Sequence, residues 1–537
     1  MGKFFNPPAT SFCDNDIYVD KTGLIAYING VINTKKRLTC FSRPRRFGKT
    51  LAAQMLSAYY SRGADSKALF DKLSISRITS SPFQDPTVKF VPYETYLNKL
   101  DVLAIDMAWF MGSCQSQETL LEYLKSQIIS DIQAELPETS SCSTSTLPDF
   151  LLNVNRVTGR KFFIIIDEWD VIFREAEENT ELQKAYLLLL RCLFKGLLSP
   201  SFVAGAYLTG ILPIKKYGTQ STLTDFREFT MLDPRELAPF VGFTEEEVQQ
   251  LCNDYHVSFS DMKRWYDGYQ FDQLIHIYNP NSVMEALSSR HFDSYWTQSS
   301  TYSSLQLYIE LNFDGLKEAI LDLIGGHTCR IDTAGFQNDM TSASSRDDVL
   351  TLLAHLGYLA YHYESKTVGI PNEEIRNEFI LALKKGKRSE LVKAIDLSNK
   401  LLAATLKKDE KTVAECLEQA HFAQTSPQHY NDEQALRSVV ILSYLSSVDH
   451  YVRFEELAGG RGYVDILFMP APANAKPALL LELKMEHSAE SALHQIEEKQ
   501  YTEAPARFRY HGKLLLVGIS YNSKTGRHSC RIQETVV

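Results

Sequence analysis

At 537 residues and 61.0 kDa the chain is too long for one hydrophobic core, and ordinary domain sizes divide it into about two to four parts. Its 44% hydrophobic and 23% charged residues are those of a soluble globular protein, and a formal net charge of -10 excludes a global basic footprint, so any nucleic-acid surface must be local. Nine scattered cysteines form no Cys-x2-Cys pair, which argues against a zinc site or a disulfide framework; no apolar run reaches the roughly 18 residues that span a bilayer, and the segment from Met1 to Pro8 lacks the apolar stretch of a secretory leader. The expectation is a cytoplasmic protein with reduced thiols and no membrane partner.

In chain order, a strand-like run from Arg37 leads into Phe41-Ser42-Arg43-Pro44-Arg45-Arg46-Phe47-Gly48-Lys49-Thr50, and helix-forming residues from Leu51 to Leu56 follow. In a phosphate loop the last glycine turns backbone N–H groups toward phosphate oxygens, the lysine reaches the β and γ phosphates, and the hydroxyl holds Mg²⁺. Gly48, Lys49 and Thr50 supply those three parts, and Arg45, Arg46 and Phe47 complete the candidate nucleotide-contacting loop. Arg43, however, stands where G-x4-G-K-[ST] has its first glycine. A basic turn between a strand and a helix would carry the same residues, so the decision rests on an acidic partner.

Asp101 to Asp106 reads as a second strand, a helix is expected over 119–135, and a Ser/Thr-rich loop runs from Thr139 to Thr146. The acidic partner follows at Lys161 to Asp170: five apolar residues, Phe162 to Ile166, end in Asp167 and Glu168, the pattern of a doubly buried parallel strand with carboxylates at its carboxyl end. Open α/β sheets bind ligands at that end. Asp167 is expected to hold Mg²⁺ through water and Glu168 to polarise the water that attacks the γ phosphate. A helix over 182–197 and a strand over 202–210 complete the βα alternation, and Thr209, at the strand end, is a candidate sensor of the γ phosphate.

The strand signal fades after Asp233-Pro234-Arg235, and Thr244 with Glu247 forms the capping-box spacing of a new helix. A mainly helical region ends with a helix over 349–359 and a short hairpin before Pro371, and its aromatic segment Trp265-Tyr266-Asp267-Gly268-Tyr269 reads as a packed turn. Lysine- and glutamate-rich helical sequence then runs to about Ala423.

The last part holds the second chemical constellation. Gly462 to Pro470 and Ala478 to Lys484 read as two strands joined by a Pro/Ala-rich turn, with Asp465 near the start of the first. Period-2 alternation puts Glu482 and Lys484 on one face and Leu481 and Leu483 on the other. Asp465 and Glu482 can share a divalent metal, with Mg²⁺ suiting the hard oxygen ligands and Mn²⁺ as an alternative, while Lys484 orients water or stabilises developing negative charge. A Glu–Lys ion pair at a sheet rim is the plainer alternative. Glu433, at the start of the preceding helix, and Gln495, on the following one, are suggestively spaced, with plainer alternatives: Glu433 complements the helix dipole, and Gln495 reads as a surface residue.

Taken together, these residues resemble a bacterial family that joins an AAA-ATPase-like domain to a C-terminal PD-(D/E)xK nuclease-like domain. The likeness runs almost end to end, through Ile17-Tyr18-Val19-Asp20-Lys21-Thr22, the loop from Arg43 to Thr50, Ile166-Asp167-Glu168, Leu208-Thr209-Gly210, Trp265 to Tyr269, Tyr278-Asn279-Pro280, Ile370 to Glu374, Gly462 to Asp465, Glu482-Leu483-Lys484 and Gln495. The resemblance implies that Arg43 is a family variation on the phosphate loop and that Glu433, Asp465, Glu482, Lys484 and Gln495 form a nuclease site. Tyr463-Val464 replaces the proline of the superfamily's name.

The expected fold is α/β: a P-loop NTPase-type parallel sheet with helices on both faces (1–235), a mainly helical lid (236–370), a helical connector (371–423) and a mixed α/β restriction-endonuclease-like domain (424–537). The expected function is ATP binding and hydrolysis coupled to metal-dependent cleavage of DNA or RNA. A nucleotide-controlled switch that binds nucleic acid or a protein without cutting is the alternative, and a static P-loop scaffold beside an active nuclease is a third. Arg45 and Arg46 fit three roles equally: neutralising phosphate in cis, reaching a neighbouring subunit of a homo-oligomer, or contacting a nucleic-acid backbone. A nucleic-acid substrate requires local basic groups, for which Lys499, Arg507, Arg509 and Lys513 are candidates.

Overall fold

The structure is a computed structural model that describes residues 2–537 except 9–16, 115, 143–145, 215, 218–219, 222, 224, 272–274, 297–312, 314, 337–343, 386–388, 425–432, 445, 448–449, 471–475 and 509. The chain forms two compact units, residues 1–302 with 329–378 and residues 303–328 with 379–537.

The first unit is built on five strands, β1 (Leu38–Ser42), β2 (Asp101–Asp106), β3 (Phe162–Asp167), β4 (Val203–Gly210) and β5 (Arg227–Phe229), in the order β2-β3-β4-β1-β5 and all parallel. Every residue of β1, β3 and β4 is buried, as their unbroken apolar runs require. Helices cover both faces. Phe162, Ile164 and Ile166 share a core with Ile128 of α2 (Leu120–Glu135), Leu151 of α3 (Leu147–Thr158) and Leu190 of α5 (Thr180–Phe194). On the other face Phe163 meets Tyr60, the last residue of α1 (Lys49–Tyr60), with ring centroids 4.3 Å apart. A short helix, α4 (Val171–Glu175), follows the acidic end of β3. Because β4 lies between β1 and β3, the loop after β1 and the acids after β3 open on the same carboxyl edge.

The remainder of this unit is mainly helical: α6 (Glu245–Tyr255), α7 (Phe259–Tyr266), α8 (Pro280–Ser289) and α9 (Arg346–His355), with two small three-stranded antiparallel sheets. The Thr244–Glu247 capping box forms as its spacing indicates. The helix expected over 349–359 instead stops at His355, because Gly357 takes φ 85° and the chain turns into a hairpin of 360–362 with 367–369.

In the second unit, β6 (Tyr451–Gly459), β7 (Gly462–Pro470), β8 (Ala478–Met485), β9 (Lys513–Asn522) and β10 (Arg527–Val536) lie in that order, antiparallel except for the parallel pair β8/β9. One face, with Leu479, Leu481 and Leu483, packs on α10 (Ser389–Leu406), α11 (Glu410–Gln424) and α12 (Glu433–Ser443) through Leu401, Leu417 and Leu436. The other, with Leu480, packs on Leu493 and Ile496 of α13 (Ala489–Glu498). Glu482 shares the Leu480 side by alternation and so faces α13, while Leu481 and Leu483 take the other face as expected.

Candidate active sites

Arg43 is fully buried, and this explains how the loop dispenses with its first glycine. Its guanidinium lies 4.8 Å from the Phe41 ring and 5.3 Å from the Phe271 ring, and Nη1 donates to the Thr230 carbonyl at 2.7 Å. Burial pushes its pKa down to about 9, against a weak opposing pull from Tyr207. The residue is therefore a packing element beneath the loop and points away from a phosphate. Pro44 above it abuts Gly357, where an added Cβ would stand 2.6 Å from the proline ring. Phe47 is buried against Tyr269, centroids 5.6 Å apart, and Trp296, 6.5 Å apart. The aromatic turn of the sequence thus anchors the phosphate loop.

Gly48 takes φ 87° and caps α1, so the amides of the first helical turn face the opening above the loop. Lys49 is buried, and its ammonium donates to the Pro44 carbonyl at 2.8 Å within the loop. Burial pushes its pKa down, and Glu168, Asp167 and Asp170 pull the other way. Thr50 is exposed at the opening.

Across the sheet edge, Asp167 Oδ1 accepts from the Thr209 hydroxyl at 2.7 Å, and both residues are buried. Glu168 follows with φ 51°, a left-handed conformation that is strained for a glutamate, and its carboxylate is ion-paired with Arg174 of α4. Arg174 also holds Asp170 at 3.2 Å, and Asp170 accepts the Ile211 and Leu212 amides at 3.0 and 2.9 Å. Burial raises the pKa of Glu168, while Lys49 and Arg174 lower it.

Arg45, Arg46, Phe47, Gly48, Lys49, Thr50 and Glu168 line one cleft of 540 Å³, a volume suited to a nucleotide. Asp167 and Thr209, bonded to each other, are not among the residues that line it. The far wall was not singled out from the sequence: Ile17, Val19, Phe240, Phe243 and Met284 make it apolar, as a base or ribose requires, and Asn281 adds an amide Nδ2 that is buried without a hydrogen-bond partner among the described residues. Lys21 ties this wall together by donating to Glu247 and to the Pro239 carbonyl, each at 2.7 Å. Arg174 was missed as well, although its i, i+4 spacing from Asp170 on the helix after β3 was a usable signal.

The second unit brings Asp465, Glu482, Lys484 and Gln495 together. Asp465 Oδ2 accepts the Leu483 amide at 2.8 Å, and Oδ1 accepts Arg437 Nη2 at 3.0 Å. Glu482 is nearly fully buried; its Oε1 accepts Lys484 Nζ at 3.5 Å and the Gln495 amide, while Oε2 is buried with no partner among the described residues. Burial, reinforced by the Asp465 carboxylate, pushes the Glu482 pKa well up. The side chain of Glu433 lies outside the described residues. Arg437, one helical turn after it, was not anticipated. Of the expected basic groups, Lys513 pairs with Glu534 at 2.9 Å, Arg507 is exposed and Arg509 lies outside the described residues.

Residues 12–219 match the family model described as Predicted AAA-ATPase, and residues 431–530 match the PD-(D/E)XK nuclease superfamily. The chain therefore joins an AAA-ATPase-like region to a PD-(D/E)XK nuclease superfamily region. No curated protein matches it. Similar solved structures include Cdc6p from Pyrobaculum aerophilum, at 10% identity over 68% of this chain and 93% of that one with a TM-score of 0.23. They also include the ORC2 protein of Aeropyrum pernix in ADPNP-ADP complexes, at 12% identity over 69% and 96% with a TM-score of 0.29. Likeness at that level says nothing of ligand or activity.

Proposed function

We propose that the chain is an ATP-binding and ATP-hydrolysing protein coupled to metal-dependent phosphodiester cleavage of nucleic acid, acting in the cytoplasm. At the first site Lys49 leaves the Pro44 carbonyl for the β and γ phosphates, the α1 amides receive phosphate oxygens, and Arg45 and Arg46 neutralise charge at the rim. Glu168, once released by Arg174, accepts a proton from the attacking water, and Thr209 holds Asp167 in place behind it. At the second site the unpartnered Glu482 Oε2 and the Asp465 carboxylate are hard oxygen donors that fit a divalent cation. Mg²⁺ at either site, or Mn²⁺ at the second, would neutralise phosphate charge and lower the pKa of a bound water. Lys484 stabilises the negative charge that develops on the phosphate, and Gln495 fixes the Glu482 carboxylate through Oε1. Eight cysteines among the described residues stand outside any disulfide, which suits a reducing compartment, and no described helix is long and apolar enough to cross a membrane.

The observation that carries the reading is Glu482: Lys484 and Gln495 hold one oxygen of this buried carboxylate, while the other, beside Asp465, has no partner among the described residues, and a divalent cation would offset the cost of burying it. Cleavage assays with Mg²⁺ or Mn²⁺, with and without ATP, comparing wild type, Lys49→Ala and Asp465→Ala, test it. Equal cutting by wild type and Asp465→Ala removes the nuclease; unchanged nucleotide affinity in Lys49→Ala removes the ATP site. One observation favours a nucleotide-controlled switch that binds without cutting, namely the Arg437 cation already seated on Asp465.

A further inference from the structure

The acidic pair of the second unit already has a cation of its own. Leu436, Val439 and Val440 pin α12 against the sheet, and between them Arg437 extends its guanidinium across β7. Nη2 donates to Asp465 Oδ1 at 3.0 Å, Nη1 pairs with Glu456 Oε1, and Nε is buried without a partner among the described residues. Glu456 lies across from Asp465 on β6, between the register pairs Glu455↔Ile466 and Leu457↔Val464, and its φ of 47° lifts it out of the regular ladder. The guanidinium thus bridges a half-buried acid and one that is 68% exposed.

The four oxygens of the acidic pair can be assigned one by one. Asp465 Oδ2 accepts the Leu483 amide, and Oδ1 carries the charged partner, Arg437 Nη2. Glu482 Oε1 is held by Lys484 and Gln495, and Oε2 has no partner among the described residues. Asp465 and Glu482 would be the residues to hold a divalent cation, and at Asp465 that cation would compete with the charge-assisted hydrogen bond from Arg437.

Resting on the nuclease reading above, we infer that Arg437 is a resident counter-cation that a divalent metal must displace from Asp465 Oδ1, so that it sets the metal concentration the site requires. Arg437 is in these terms a positioning residue that acts through Asp465. Glu456 gives the displaced guanidinium a partner nearer solvent, which lowers the cost of letting go. In the absence of metal the same contact spares Asp465 an uncompensated charge beside Glu482.

The test is Mn²⁺ binding to the full chain, read from the electron paramagnetic resonance signal of free Mn²⁺. Arg437→Gln is expected to tighten Mn²⁺ roughly tenfold by freeing Oδ1. Glu456→Gln is expected to weaken it a few-fold, because Arg437 then has Asp465 alone, and Asp465→Asn to abolish it. Unchanged or weaker binding in Arg437→Gln, with Asp465-dependent binding intact in wild type, overturns the inference and leaves the nuclease reading standing. Absence of Asp465-dependent binding in both wild type and Arg437→Gln overturns both. If Arg437→Gln does not fold, Glu456→Gln decides alone, and unchanged or tighter binding in that variant overturns the inference.

Discussion

At the end of β3, Asp167 accepts from Thr209 while the neighbouring Glu168 is ion-paired with Arg174; on β7, Asp465 is bonded at one oxygen by the Leu483 amide and at the other by Arg437. Both sites keep a carboxylate against an arginine from an adjacent helix. They differ in which acid is held. In the first unit the arginine takes Glu168, the acid assigned to water, and leaves Asp167 to a neutral hydroxyl. In the second it takes Asp465 Oδ1 and leaves Glu482 Oε2 without a hydrogen-bond partner among the described residues. On the proposed reading, the first arrangement would restrain chemistry after the ligand has arrived, whereas the second would restrain the arrival itself.

Arg43 is the case that breaks the pattern, a buried cation with no acid paired to it among the described residues. Restoring the missing glycine with Arg43→Gly is expected to destabilise the first unit by about 4 kcal/mol, because it removes the contacts with Phe41 and Phe271 and the bond to Thr230 and leaves a cavity under Pro44. Arg43→Met is expected to recover most of the loss, since volume matters more here than charge. Urea unfolding followed by far-ultraviolet circular dichroism checks both, and a glycine variant as stable as wild type would show that Arg43 is dispensable.

Arg174→Ala sharpens the comparison from the other side. It is expected to cost about 3 kcal/mol, because Asp170 stays buried with two amides and no counter-charge. The smaller consequence lies in catalysis: Glu168→Gln is expected to lower ATP turnover about 100-fold with nucleotide affinity retained. Fluorescent-nucleotide titration and phosphate release measured on the same sample separate the two, and a parallel loss of affinity would assign Glu168 to binding instead.

What could be read from sequence follows the range of the interactions. Gly48-Lys49-Thr50 is legible because its chemistry is contiguous and its neighbours are a strand and a helix. The apolar run ending at Asp167 gave away the parallel sheet, and period-2 alternation separated Glu482 from Leu481 and Leu483. The arginine partners were not legible, because their geometry is set by tertiary packing: Arg437 precedes Asp465 by 28 residues, and Arg174 follows Glu168 by 6 but reaches it only through the bend at φ 51°. The burial of Arg43 was not legible either, since one of the two phenylalanine faces that enclose it, Phe271, is far away in the sequence. The apolar wall at Ile17 and Val19 appeared in the sequence as a motif without a role, and only packing against Phe243 and Met284 gives it one.

Glu374 supplies the control the comparison needs, a buried carboxylate with no arginine paired to it among the described residues. Its Oε1 accepts only neutral donors, the Ser282 hydroxyl at 3.0 Å and the Tyr295 and Trp296 amides at 2.8 and 3.0 Å. Burial pushes its pKa from the ordinary 4.5 up to about 7, against the pull of those three bonds. With the folded value above the unfolded one, the stability this group contributes is fully present below pH 4.5 and is lost as pH rises through about 7, above which the loss is constant. Between pH 6 and 8 the loss is about 1 kcal/mol by linkage. Glu374→Gln keeps an oxygen for the same donors and cannot ionise, so its stability is expected to fall less than that of wild type across this interval. Paired urea titrations of both proteins at pH 6 and 8 measure the difference, and parallel slopes would mean that the site tolerates a charged carboxylate without an arginine, removing the reason for Arg174 and Arg437 to be where they are.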